Sequence, residues 1–63
     1  MKLPGLRARR EGAGLTMREL AKRAKVSLGT VNRVENGAET WPTTAAKLAA
    51  VVGATPADLM DGA

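Results

Sequence analysis

The chain contains no cysteine, no histidine, no phenylalanine and no tyrosine, and a single tryptophan. Each absence removes a class of function. Without cysteine there are no disulfides and no thiolate metal sites. Without histidine as well, the usual zinc ligands and nucleophile–base pairs are missing. No metal site or cofactor is therefore expected, and no catalytic residue. Sixty-three residues make one small domain, which buries only about 60% of the surface its unfolded chain exposes. A deep catalytic cleft is hard to build on such a core, so an enzyme is not expected. No apolar run approaches the ~20 residues that span a bilayer. Lys2 is not followed by the apolar core of a signal peptide. The expectation is a soluble cytoplasmic protein that neither enters a membrane nor offers a small-molecule site.

What is present is positive charge, unevenly placed. The net charge is +4. Residues 1–36 hold nine Lys/Arg and three acids, whereas residues 37–63 hold only Lys47 against Glu39, Asp58 and Asp61. Basic surface gathered on one half suits a polyanionic partner, and it also suits a plain solvated face.

The pattern is helical throughout, with no alternating run of the kind a half-buried strand shows. An all-α fold of five helices is expected. The first runs from about Pro4, tolerated at the first helical position, to Glu11, with Gly12 and Gly14 as its stop. Thr16 opens the second, and Glu19 three residues on completes a capping box. Leu20, Ala21 and Ala24 form its apolar face. Ser27 caps the third. There Val31 and Val34 point inward and Leu28, Gly29, Asn32, Arg33 and Asn36 lie opposite. Asn36-Gly37 ends it. Thr43 is expected to cap the fourth helix, whose Ala45, Leu48, Ala49 and Val52 repeat at helical spacing up to Gly53. Thr55, Pro56 and Asp58 open a short fifth, with Leu59 in the core. The tail Asp61-Gly62-Ala63 is expected to fray.

Thr16 to Gly37 thus reads as a helix-turn-helix over residues 16–36. The motifs LTMRELA, VSLGTVNRVENG and LAAVVGATPADL resemble the lambda-repressor-like helix-turn-helix domains, the family of phage repressors, Cro proteins and xenobiotic-response-element regulators. The resemblance covers nearly all of residues 1–63. It implies a compact five-helix domain of bacterial or phage origin that binds double-stranded operator DNA, usually as a homodimer. It also implies that an Arg of the first helix, here Arg10, is held against a Glu at the end of the third, here Glu35. Three positions depart from the family pattern. Met17 stands where Gln often contacts phosphate. Lys25 stands where the turn often has Gly, and a left-handed backbone there would carry strain of about 1–2 kcal/mol. Leu28 and Gly29 stand where the recognition helix often begins with polar residues.

The implied interface has two parts. Phosphates would meet the helix N-termini opened by Thr16, Ser27 and Thr43, where free N–H groups and the macrodipole attract anions. Met17 and Arg18 would donate through their amides, and Asn36 with Gly37 would form a second clamp. Bases would be read from the third helix, about residues 28–36, in the major groove. Arg33 is the leading candidate, because its fork matches guanine O6 and N7, although a phosphate contact is the simpler role. Ser27 and Thr30 suit base or phosphate. Asn32 suits adenine or solvent, and Leu28 a thymine methyl or the second helix. Trp41 suits the core, a subunit contact or an indole–phosphate contact. Met17 and Met60 are expected to pack. The competing reading is a redesigned scaffold, or an antitoxin-like protein-interaction module, that keeps the fold with little DNA affinity.

Overall fold

A computed structural model describes residues 1–61. They form α1 (Leu6–Gly12), α2 (Met17–Ala24), α3 (Leu28–Glu35), α4 (Pro42–Val51) and α5 (Pro56–Met60), with no strand among the described residues. None of these helices is long and apolar enough to cross a membrane.

The capping chemistry sets the boundaries of α2, α3 and α5. The Glu19 amide donates to Thr16 Oγ1 at 3.1 Å, and the Thr16 amide donates to Glu19 Oε1 at 2.9 Å. Thr55 and Asp58 make the same reciprocal pair ahead of α5. Ser27 Oγ accepts from the Thr30 amide at 3.1 Å. Each cap satisfies amides that a helix start would otherwise leave free.

Two helix starts differ from the sequence expectation. α1 begins at Leu6, not Pro4, because Pro4 and Gly5 form a turn instead. The Gly5 amide donates to the Leu59 carbonyl at 2.8 Å, which docks the N-terminal segment on α5. A Cβ at Gly5 would lie 3.1 Å from that same oxygen, so the close approach favours glycine. α4 begins at Pro42 with Trp41 as its N-cap residue, and Thr43 lies inside the first turn without capping. Proline's fixed φ and missing N–H fit the first helical position, which leaves Thr43 one residue too late to cap.

The core is aliphatic and finely grained. Leu3, Leu6, Leu20, Val31, Leu48 and Leu59 are fully buried, and Ala21, Ala24, Val34, Ala45 and Ala49 fill the spaces between them. α2 packs on both α3 and α4, and α5 packs on α4. Trp41 is no part of this core, being 78% exposed, and Met60 is half exposed, whereas Met17 packs at the core margin. The N-cap position turns the Trp41 side chain away from the apolar face of α4, which starts with Ala45.

Two features fix α3 in space. The first is the turn before it. Lys25 adopts φ 59° and ψ 42°, the left-handed conformation, and its amide closes the end of α2 on the carbonyls of Ala21 and Lys22. The second is an ion pair at its far end. Arg10 Nε donates to Glu35 Oε2 at 2.6 Å and Arg10 Nη2 to Glu35 Oε1 at 3.1 Å. Arg10 Nη1 also donates to the Leu15 carbonyl at 2.8 Å. The Glu35 side chain is fully buried, and Arg7 approaches its Oε1 at 3.2 Å from a more exposed position. Donating to the Glu35 carboxylate holds the Arg10 pKa above its ordinary value, against the opposing effect of burial.

Three measurements check this account. Lys25→Gly should raise stability in urea unfolding by about 1 kcal/mol, since glycine relieves the left-handed strain but loses more chain entropy. Arg10→Ala should cost about 3–5 kcal/mol by stranding a buried carboxylate, whereas Arg7→Ala should cost about 1 kcal/mol or less. The cap carboxylates Glu19 and Asp58 have lowered pKa values, chiefly because the backbone amides of Thr16 and Thr55 donate to them. Their contribution should therefore be complete above the ordinary carboxylate range near pH ~4 and be lost as pH falls through the lowered folded values. A urea midpoint followed from pH 7 downward should stay level and then drop, and Glu19→Gln should flatten part of that drop.

Candidate nucleic-acid interface

α3 lies on α2 through Val31 and Val34, both buried. That leaves Leu28, Gly29, Asn32, Arg33 and Asn36 exposed along one face. Their spacing of one, three, one and three residues keeps them on a single stripe of a 3.6-residue helix. Leu28 is 41% exposed, so a large part of its side chain faces outward.

Arg33 crosses over Gly29. A Cβ placed on Gly29 would meet Arg33 Nη1 at 3.5 Å, an ordinary contact distance. The guanidinium therefore lies back along α3 toward its N-terminus, the direction helical side chains take. Gly29 has no side chain of its own to read a base, but it leaves the Arg33 fork uncovered. This relation was hidden in the sequence, although the four-residue spacing that produces it is visible there.

Other polar groups of the stripe are engaged with one another. Ser27 Oγ and Thr30 Oγ1 are 2.7 Å apart. Asn36 Nδ2 donates to both the carbonyl and the Oδ1 of Asn32, each at 2.8 Å. The two asparagines form one clasped unit at the C-terminal end of the stripe. The Gly37 amide donates to the Val34 carbonyl at 3.1 Å, and the Ala38 amide to the Arg33 carbonyl at 3.0 Å. These amides are spent inside the end of α3 and face no ligand in this arrangement.

The edges of the face carry free amides. Met17 and Arg18 sit in the first turn of α2, ahead of the Glu19 amide that Thr16 takes. Thr43 and Thr44 occupy the first turn of α4, where no side chain caps them. Such amides are orphaned by helix geometry and suit an anion. Arg10 is tied to Glu35 and Leu15, so it faces the interior rather than the stripe. Beside the stripe runs a groove of about 280 Å³, whose walls include Thr30 and Arg33 of α3, the acid Glu39, and Thr40, Trp41 and Thr44. Trp41 thus belongs to the rim of this face, a position that its proline neighbour and lone aromatic character did not reveal in advance.

Comparison with known proteins identifies the fold. The helix-turn-helix family profile matches residues 6–59. The crystal structure of the clp gene regulator ClgR from Corynebacterium glutamicum superposes with a TM-score of 0.81 at 35% sequence identity. The match covers 89% of this chain and 61% of that regulator, so the chain spans less than two thirds of its length. No curated protein sequence matches the chain. An all-α order of five helices, a capped α2, a tight turn and an exposed α3 are the parts that define such a unit, and the chain belongs to the lambda-repressor-like helix-turn-helix family of DNA-binding proteins.

Proposed function

We propose that the chain recognises operator DNA for a transcription regulator by laying α3 in the major groove. The observation that carries this reading is the exposed stripe Leu28–Gly29–Asn32–Arg33, presented outward because Val31 and Val34 are buried against α2. An α-helix fits the ~12 Å width of the major groove, and the stripe is the side that would face the base edges.

The roles divide by chemistry. Arg33 reads a guanine, since its fork is exposed and uncovered over Gly29. Leu28 offers an apolar surface to a thymine methyl. Ser27 and Thr30, whose hydroxyls pair with each other, keep a free lone pair and a rotatable proton for one further contact. Asn32 is held by Asn36, so an adenine contact would require it to release that clasp. Backbone amides of Met17, Arg18, Thr43 and Thr44 receive phosphates on either side, with the exposed Arg18 side chain adding charge. Asn36 and Gly37 stabilise the end of α3 and contribute to phosphate binding only by reorganising. The acting unit is a homodimer on two half-sites about one DNA turn apart, the arrangement this class of recognition helix uses on palindromic operators.

Selection from a random duplex library at two salt concentrations tests the reading. Wild-type protein should enrich a defined half-site. With about four phosphates neutralised, log K should fall with log salt at a slope of roughly −0.9 per contact. Arg33→Ala should lose preference at one position, worth about 1–3 kcal/mol, if it reads a base. A uniform loss across all sequences would move Arg33 to the phosphates. No duplex binding in dilute buffer would favour the scaffold or protein-interaction reading.

A further inference from the structure

A second groove lies away from the α3 face. It runs between the C-terminal ends of α2 and α4, has a volume of about 350 Å³, and is walled by Arg23, Ala24, Lys25, Lys47, Ala50 and Val51. Its floor is apolar: Ala24 is buried, Val51 half-buried and Ala50 exposed. The three exposed cations stand around that floor, and among the described residues no acid lines it. None of the three forms an ion pair with a described residue. Glu19, one turn back along α2, feels the Arg23 charge without pairing with it.

Two of these cations lack a local explanation. Arg23, in the last turn of α2, complements the helix dipole. Lys47 lies in the middle of α4, where no dipole accounts for it, and it is the only basic residue of residues 37–63. Lys25 holds a left-handed backbone that glycine adopts without strain. A side chain kept at a strained position points to a use for that side chain. The fold brings both lysines beside Arg23, one from the turn and one from α4.

The chemistry of the groove suits a peptide better than a nucleic acid. The uncapped amides sit in the first turns of α2 and α4, and the groove lies at the other ends, roughly 12–15 Å away at 1.5 Å per residue. It therefore stays open when the α3 face is occupied. The Arg23 and Ala24 carbonyls accept no backbone amide of the described residues, and the negative ends of two helix dipoles oppose the dense charge of a duplex backbone. A peptide brings N–H donors for such carbonyls, carboxylates for the cations and an apolar side chain for the floor. The chain's own nearest equivalent is Met60, half exposed beside Asp58 and Asp61. The Asp58 carboxylate is already held by the Thr55 amide, so a second copy is the poorer match.

We propose that this groove docks an acidic segment of a partner protein. One apolar side chain of the segment seats on Ala24, Ala50 and Val51, and carboxylates on either side of it meet Arg23, Lys25 and Lys47. The site is separate from the α3 face and does not rest on the duplex-binding reading.

The test is an NMR titration, followed amide by amide, with a peptide of about ten residues in which Asp and Glu flank a central leucine. Amides of residues 23–25 and 47–51 should shift and saturate together in the high-micromolar range, while those of residues 28–33 hold still. Lys47→Glu and Ala50→Glu, both at exposed helix positions, should keep wild-type helicity by circular dichroism and weaken binding roughly five- to tenfold. Lys2→Glu makes the same change of net charge as Lys47→Glu outside the groove, and should weaken binding less than about twofold. Replacing the peptide's leucine by serine should cost roughly fivefold. Equal losses in Lys2→Glu and Lys47→Glu, or no loss with the serine peptide, reduce the effect to diffuse charge and overturn the proposal. So does peptide binding centred on residues 28–33, or no binding up to about 1 mM. Groove shifts on concentrating the protein alone overturn it in favour of a second copy. A parallel titration with a random-sequence duplex of about 20 base pairs separates the two readings. Duplex-induced shifts in the groove but not along α3 assign the groove to nucleic acid and overturn the proposal. No duplex-induced shift anywhere ends the duplex reading and leaves the peptide result standing.

Discussion

The paired hydrogen bonds between Arg10 and Glu35 hold the arrangement together. A fully buried carboxylate is tolerable only if its charge is met and its lone pairs are filled. Arg10 does both with two prongs of its guanidinium, and its third nitrogen reaches the Leu15 carbonyl in the link between α1 and α2. One side chain therefore ties α1, the start of the helix-turn-helix and the end of α3 to a common point. The aliphatic core supplies most of the apolar burial, but leucines and alanines slide past one another at small cost. A bidentate ion pair has one geometry, so it sets where α3 stops and how its outer stripe is turned. The turn at Lys25 sets where α3 starts. Between these two fixed ends the recognition helix has little freedom, which is what a docking rod requires.

Much of this was legible in the sequence wherever a local rule has a single solution. Thr16 with Glu19, and Thr55 with Asp58, marked two helix starts correctly because a capping box involves only four consecutive residues. The inward valines of α3 followed from spacing alone. Arg10 and Glu35 were suggested by family resemblance rather than by any rule of spacing, since 25 residues separate them. The misplaced starts share one cause. At Pro4 and at Thr43 a proline admitted two readings, turn or first helical residue. The choice fell to packing that the local motif does not state, namely the Gly5 contact with the distant Leu59 at one end and the burial of Ala45 and Leu48 at the other.

The face of the protein was less legible than its fold. Sequence marked Gly29 as a weakness of the recognition helix, because glycine offers no group to a base. In three dimensions it is the bare spot under the Arg33 guanidinium. Likewise the polar residues Ser27, Thr30, Asn32 and Asn36 looked like four independent contacts, but the fold joins them into two hydrogen-bonded pairs. Residue type predicts what a side chain is able to bond. It does not say which bonds are already taken. Trp41 gives the converse case: its hydrophobicity pointed inward, while its place at the head of α4 turned it to the surface.

The clasp at Asn36 has one more consequence, a chemical one. An asparagine followed by glycine is the dipeptide at which a loose chain most readily loses ammonia, the glycine nitrogen attacking the side-chain carbonyl to close a succinimide ring. Here Gly37 has committed its nitrogen to the Val34 carbonyl, and the Asn36 carboxamide is pinned by Asn32. Neither partner is free to make the attack. The folded state thus shields its own covalent backbone from ageing, and each excursion to the unfolded chain exposes that linkage to slow, irreversible conversion to isoaspartate.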